Sequence, residues 1–165
     1  MKWTEGEVHV AMRRLLRGAG WQLIAGEFPG GSDHELYPLN VVDPRVARDA
    51  SPDPRRHSLG ELIPDLVALR GRDLAVLEAK VRYDDNDRVK LETLLTARRA
   101  DLLVSLARFA ADRRVPQLLP IETLVIHPVL AFAAKDAPPA PPPFSYLRVE
   151  SRDMGHFEGV LAVSR

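Results

Sequence analysis

Three side chains in the middle of the chain have types and spacing that could do chemistry: Asp65, Glu78 and Lys80. The stretch that holds them, residues 61–80 (ELIPDLVALRGRDLAVLEAK), reads as a β-hairpin. Ile63, Asp65, Val67 and Leu69 alternate with Leu62, Leu66 and Ala68, the period of two that marks a strand. A second run with the apolar stretch LAVL ends at Lys80. Between the two lies Arg70-Gly71-Arg72-Asp73, and a Gly at the first central position suits a two-residue type II′ turn. With Arg70 opposite Asp73, Leu69 faces Leu74, Val67 faces Val76 and Asp65 faces Glu78. Facing side chains lie roughly 4.5–5.5 Å apart at Cβ. Lys80, two residues beyond Glu78, shares their face.

Two facing carboxylates repel each other, and each costs free energy on an apolar hairpin. A divalent cation between them removes both costs. A carboxylate-bound Mg²⁺ lowers the pKa of its water and clamps a phosphate oxygen. Lys80 adds positive charge where negative charge grows at a phosphate under attack. That chemistry is phosphodiester hydrolysis. The other reading is a solvated face, since half-exposed antiparallel strands commonly carry Asp, Glu and Lys. Ile63, Val67, Leu69, Leu74 and Val76 share the acids' face, so the charges interrupt an apolar surface. Both readings stay open on spacing alone.

The elements around the hairpin must position these groups. Thr4 and Glu7 fit a capping box that opens a helix. Val8, Ala11, Met12, Leu15, Leu16 and Ala19 form its apolar stripe, and Gly18 and Gly20 end it. Glu7 is either the cap itself or a third acid aimed at the sheet. Residues 21–24 read as a short strand. Residues 26–59 are irregular and dense in Pro and Gly, with a short strand at 39–42. Arg45, Arg48, Arg55, Arg56 and His57 in this loop are either a solvated cluster or contacts to phosphates. After the hairpin, Asn86 or Asp87 can cap one long helix reaching about Arg114. Lys90 in its first turns is either solvated or within reach of a phosphate beside the metal. Residues 123–132 read as an apolar strand with an edge or bend at Pro128. His127 within it reads as a satisfied strand histidine. Residues 137–143 form a proline-rich loop, and two closing strands follow.

The 165 residues suit one domain with a real core. Hydrophobic residues make up 45% and charged residues 28%, ordinary values for a globular protein. With no Cys, disulfides, thiolate zinc sites and cysteine nucleophiles are excluded. Five His are scattered without helical ligand spacing. The net charge of zero means that any phosphate-binding surface is a local patch. No apolar run is long enough to span a membrane, and the N-terminus has no signal-peptide core. A cytoplasmic protein is expected.

The order helix, strand, loop, hairpin, helix, strand gives an α/β or α+β fold with a mixed sheet flanked by helices. That order, with Pro64-Asp65 and Glu78-Ala79-Lys80, resembles the PD-(D/E)XK nuclease superfamily, whose fold is restriction-endonuclease-like. The run from Thr4-Glu5 to Gly20-Trp21, with Leu77-Glu78-Ala79-Lys80, is similar to the nuclease domain of type I restriction-enzyme motor subunits. The likeness covers roughly residues 4–114. It implies an α-β-β-β-α-β core and a Mg²⁺-dependent endonuclease acting on DNA, with Mn²⁺ able to substitute. Asp65 and Glu78 would ligate the metal, with the Ala79 carbonyl as a further ligand. Lys80 would activate the water, and Glu7, or Glu5 in another alignment of the helix, would be the auxiliary acid. Lys90, Arg55 and Arg56 would bind phosphate. Related domains often carry a Gln in the helix after the lysine, and residues 87–114 contain none. Such domains often act as homodimers or with a separate specificity or motor subunit. The alternatives are a non-catalytic nucleic-acid-binding or assembly subunit on the same fold, or an RNA-directed enzyme.

Overall fold

The computed structural model describes residues 2–30, 33–42, 61–133, 135 and 143–163. It is an α+β protein: helix α1 (Glu5–Gly18), strands β1 (Gln22–Gly26), β2 (Val41–Val42), β3 (Glu61–Leu62), β4 (Leu66–Arg70) and β5 (Asp73–Lys80), helices α2 (Asp85–Leu95) and α3 (Arg99–Asp112), then β6 (Val125–Phe132), β7 (Ser145–Val149) and β8 (Gly155–Gly159). Six strands form one mixed sheet in the order β1-β4-β5-β6-β7-β8, and β2 and β3 form a separate two-stranded ladder. The first three strands pair antiparallel, β6 runs parallel to both β5 and β7, and β8 returns antiparallel. The parallel step from β5 to β6 is bridged by α2 and α3, as a crossover between parallel strands requires.

The hairpin has the register that its turn demands. Arg70 pairs with Asp73, Leu69 with Leu74, Val67 with Val76 and Leu66 with Leu77. Gly71 takes φ 62°, the positive value that a type II′ turn needs at its first central position. Both faces of the hairpin are buried. Leu66, Ala68, Ala75 and Leu77 pack on the α1 stripe of Val8, Ala11, Met12 and Leu16. Val67, Leu69, Leu74 and Val76 pack with Leu91, Leu94, Leu102 and Leu106 of α2 and α3. The sheet is thus the middle of three layers, and Glu78 lies on the side of α2 and α3.

Four expectations change. The strand starts at Leu66, so Ile63, Pro64 and Asp65 form a bend before β4, while Glu61 and Leu62 pair with β2 instead. The long helix is two helices. Thr96 leaves helical geometry at φ −116°, ψ −86°, and its hydroxyl donates to the Glu92 carbonyl at 2.7 Å. A threonine bonded back to its own turn competes with helix continuation, and no Gly or Pro marks the spot. Asp84, not Asn86 or Asp87, caps α2 by accepting from the Asn86 N–H at 2.8 Å. Pro128 is in an inner strand rather than at an edge. It is tolerated because β7 pairs with β6 only from Val129 onward. His127 bonds Asp73 at 2.8 Å, a satisfied strand histidine as expected.

The described part of the long loop, residues 33–42, is packed. Leu39 and Val41 are buried, and Arg113 stacks 3.6 Å from the centre of the Tyr37 ring. The cluster Arg45, Arg48, Arg55, Arg56 and His57 lies outside the described residues, and with it the assignment of Arg55 and Arg56 to phosphate. Residues 137–142 of the proline-rich loop also lie outside them. Among the described residues, no helix is long and apolar enough to cross a membrane.

Candidate metal and catalytic site

The open end of the hairpin, at the C-terminal end of β5, gathers charge from three elements. Asp65 is fixed from both sides: its carboxylate accepts from the Ala79 N–H at 2.8 Å, and its carbonyl accepts from the Glu27 N–H at 3.0 Å. Burial pushes its pKa up. The His9 ring, the Ala79 N–H and the Lys90 charge outweigh burial and hold it below the usual carboxylate range. Asp65 is therefore an anion held ready by the Ala79 N–H, the His9 ring and the Lys90 charge.

Glu78 is the opposite case. It is only 3% exposed, inside β5 between β4 and β6. Burial, then the negative charge of Asp65, push its pKa up to about 8, against the pull of Lys90. Lys90 Nζ lies 2.8 Å from Glu78 Oε1. The same Nζ donates to the Ile63 carbonyl at 2.7 Å, and no well-aligned donor reaches Oε1. The contact is thus a charge pair, not a formed hydrogen bond. A buried carboxylate oxygen without a donor is the feature of this site that calls for a ligand.

Lys80, just beyond, pairs with Glu5 of α1 at 3.1 Å. Burial lowers its pKa, and Glu5 with Asp87 and Asp65 more than restores it, so the group is firmly cationic. Of the two candidate helix acids, Glu5 reaches the site. Glu7 does not: its carboxylate accepts from the Thr4 N–H at 2.9 Å in the capping box and pairs with Arg152 at 3.5 Å. The placement of Glu7 as an acid at the site is corrected to Glu5. Ala79 enters the site through its N–H, which orients Asp65.

Two further residues converge here. His9, buried in α1, has both ring nitrogens without a hydrogen-bond partner. Its Nε2 is 3.6 Å from Asp65, an electrostatic contact, and its ring meets Phe28 edge-on. Asp87, in the first turn of α2, is pushed up by burial; Lys80 and Lys90 pull it down, while Asp84 and Asp65 push it further. The signals for both were helical spacing: His9 is four residues after Glu5, and Asp87 is three before Lys90, so each pair shares a helix face.

Asp65 and Glu78 are the side chains that could hold a divalent cation, the first as an ionised oxygen donor and the second through its orphaned Oε1. Hard cations such as Mg²⁺ bind through one or two carboxylates and keep several waters. The pair fits that habit. Among the described residues, no group of three or more His, Asp or Glu side chains is gathered to hold a metal alone. No protein-family model, curated protein or solved structure matches the chain.

Proposed function

We propose that this protein is a metal-dependent nuclease of the PD-(D/E)XK type that hydrolyses phosphodiester bonds in DNA. The observation that carries the reading is the buried Glu78, with an oxygen lacking a donor, close enough to Asp65 to feel its charge and two residues before Lys80. Further support is the element order: a helix, three antiparallel strands, helices, then a strand parallel to the third. This is the order of the restriction-endonuclease-like core.

In this mechanism Mg²⁺, when bound, supplies a water of lowered pKa and charge relief at the phosphate. Asp65 and Glu78 would hold it, Asp65 pre-oriented by the Ala79 N–H. Lys80, kept protonated by Glu5, places a positive charge beside the phosphate oxygen that gains charge during attack. Glu5 positions Lys80 rather than touching substrate. His9 excludes water from the buried side of Asp65.

The test is cleavage of supercoiled plasmid in Mg²⁺ or Mn²⁺ by wild type, Glu78→Ala and Lys80→Ala. Loss of cleavage in both variants is expected, and unchanged cleavage in both sinks the assignment. An RNA substrate in parallel identifies an RNA-directed enzyme on this scaffold. A second reading, a nucleic-acid-binding or assembly subunit without turnover, is favoured by the Lys80–Glu5 pair, which occupies the ammonium. DNA binding by wild type with no cleavage in either metal would select it. A homodimer or a separate specificity or motor subunit fits either reading, and sedimentation of the purified chain distinguishes the dimer.

A further inference from the structure

We propose that Lys90 is a built-in stand-in for the cation, an ammonium that occupies the mouth of the carboxylate pair and must swing out when a divalent ion enters. The inference rests on the reading of Asp65 and Glu78 as a metal-binding pair. Three observations carry it. Lys90 Nζ lies 2.8 Å from Glu78 Oε1, a separation at which a cation and that oxygen are already in contact. The ammonium is tethered on its far side by the Ile63 carbonyl at 2.7 Å, in the bend that leads into Asp65. Its direction toward Glu78 is poor, since Oε1 receives no well-aligned hydrogen bond. The ammonium lies against Glu78 without satisfying it.

The side chain also has somewhere to go. Lys90 retains about a quarter of its side-chain exposure, whereas Glu78 has almost none. Lysine is a flexible stem with a point charge, suited to changing partners. It stands on α2, outside the sheet. Asp87 lies one turn earlier on the same helix and acts electrostatically on the same site. A metal-free site with an unpaired buried Glu78 would be costly, and Lys90 lessens that cost until the ion arrives. The same displacement frees a cation beside the site at the moment a phosphate would bind there. Lys90 thus ties two events together, ion entry and exposure of a phosphate-binding charge.

Two measurements test this, and one needs no variant. The chain has four Lys in all, so labelling with a small amine-reactive acylating reagent can be read site by site by mass spectrometry. Labelling of Lys90 in wild type should rise several-fold on adding saturating Mg²⁺, while Lys2 and Lys135 stay constant. The second is calorimetric titration of Mn²⁺ into wild type, Lys90→Gln and Asp65→Asn. Loss of the competing charge contact should tighten Mn²⁺ binding to Lys90→Gln by at least about tenfold. Binding that depends on Asp65 but is equal in wild type and Lys90→Gln, with no change in Lys90 labelling, overturns the stand-in role and leaves the metal-site reading intact. No Asp65-dependent binding in either protein overturns both.

Discussion

Replacing Glu78 with Gln in metal-free protein tests the reading of the site most directly. Glu78 is nearly inaccessible, and burial with the Asp65 charge pushes its pKa from the usual 4.5 to about 8. The folded protein therefore binds a proton there that the unfolded chain releases above pH 4.5. Where the folded state binds more protons, stability falls as pH rises. The stabilising proton is fully present below about pH 4.5 and is lost as pH rises through about 8. At about 1.4 kcal/mol per pH unit, that interval corresponds to a loss on the order of 5 kcal/mol. This is a large share of the stability of a small domain. Gln keeps the shape and an oxygen for Lys90 but carries no charge. Urea unfolding at a series of pH values in the presence of a chelator should show wild type weakening between pH 5 and pH 8.5. Glu78→Gln should be flatter and, at the upper end, more stable than wild type. Other groups that titrate in this range are common to both proteins and cancel in the difference. Excess Mg²⁺ should return the lost stability to wild type alone. Parallel curves for the two proteins would refute the burial argument, and with it the reason for expecting a ligand at this carboxylate.

The buried pair of Arg13 and Asp33 joins α1 to the long loop, and Asp33 is held down at about 2. Burial opposes that shift, and Arg13 with the Glu35 and Leu36 N–H groups overcomes it. Its contribution is present above pH 3.8, is lost as pH falls through about 2, and should disappear from the acid limb of the Asp33→Asn profile. Leaving Arg13 unpaired should cost roughly 3–5 kcal/mol in urea unfolding at pH 7. Thr4→Ala removes one arm of the capping box and should cost about 1 kcal/mol without altering Mn²⁺ affinity. Glu7→Ala should likewise leave Mn²⁺ affinity alone, whereas Glu5→Ala should raise the labelling of Lys80; the reverse pattern would restore Glu7 to the site. Gly155→Ala would drive a Cβ into the Arg148 carbonyl and the Leu15 side chain. Overpacking of this kind should lower stability by about 1–3 kcal/mol, seen as a lower thermal midpoint.

The hairpin register was legible because two independent signals agreed: Gly71 placed the turn, and the alternating pattern placed the faces. The expected pairing of Asp65 with Glu78 stops one residue short, because Asp65 is in a bend and its carboxylate turns to the Ala79 N–H. The choice between Glu5 and Glu7 was also contained in the sequence. A carboxylate that reaches back to the Thr4 N–H cannot reach the sheet at the same time, so recognition of the capping box already spoke against Glu7. What could not be read was tertiary. The break at Thr96 has no Gly or Pro, and only a hydroxyl bonding its own turn reveals it. His9 looked like one of five scattered histidines because its role depends on which strand end α1 crosses. Lys90 was visible as a cation near the site, but the helix that turns it onto Glu78 starts from the Asp84 cap, two or three residues earlier than residues 86–87 suggested.

Fold stability alone does not explain Glu78. A buried charge pair can often be replaced by apolar residues of similar volume at no cost or with gain. A leucine at Glu78 would continue the apolar run of β5 against Leu91 and Leu130. The charges around it also fail to balance among themselves. Among the described residues, Glu5, Asp65, Glu78 and Asp87, if all ionised, are set against the ammonium groups of Lys80 and Lys90, a local excess of two negative charges. A divalent cation would cancel that excess. Without one, the protein carries a proton on Glu78 near neutral pH, which cancels half of it. The raised pKa of Glu78 and the imperfect Lys90 contact are thus two consequences of one deficit of positive charge. Adding the cation should remove both at once: the proton should leave Glu78, and the ammonium should leave its side.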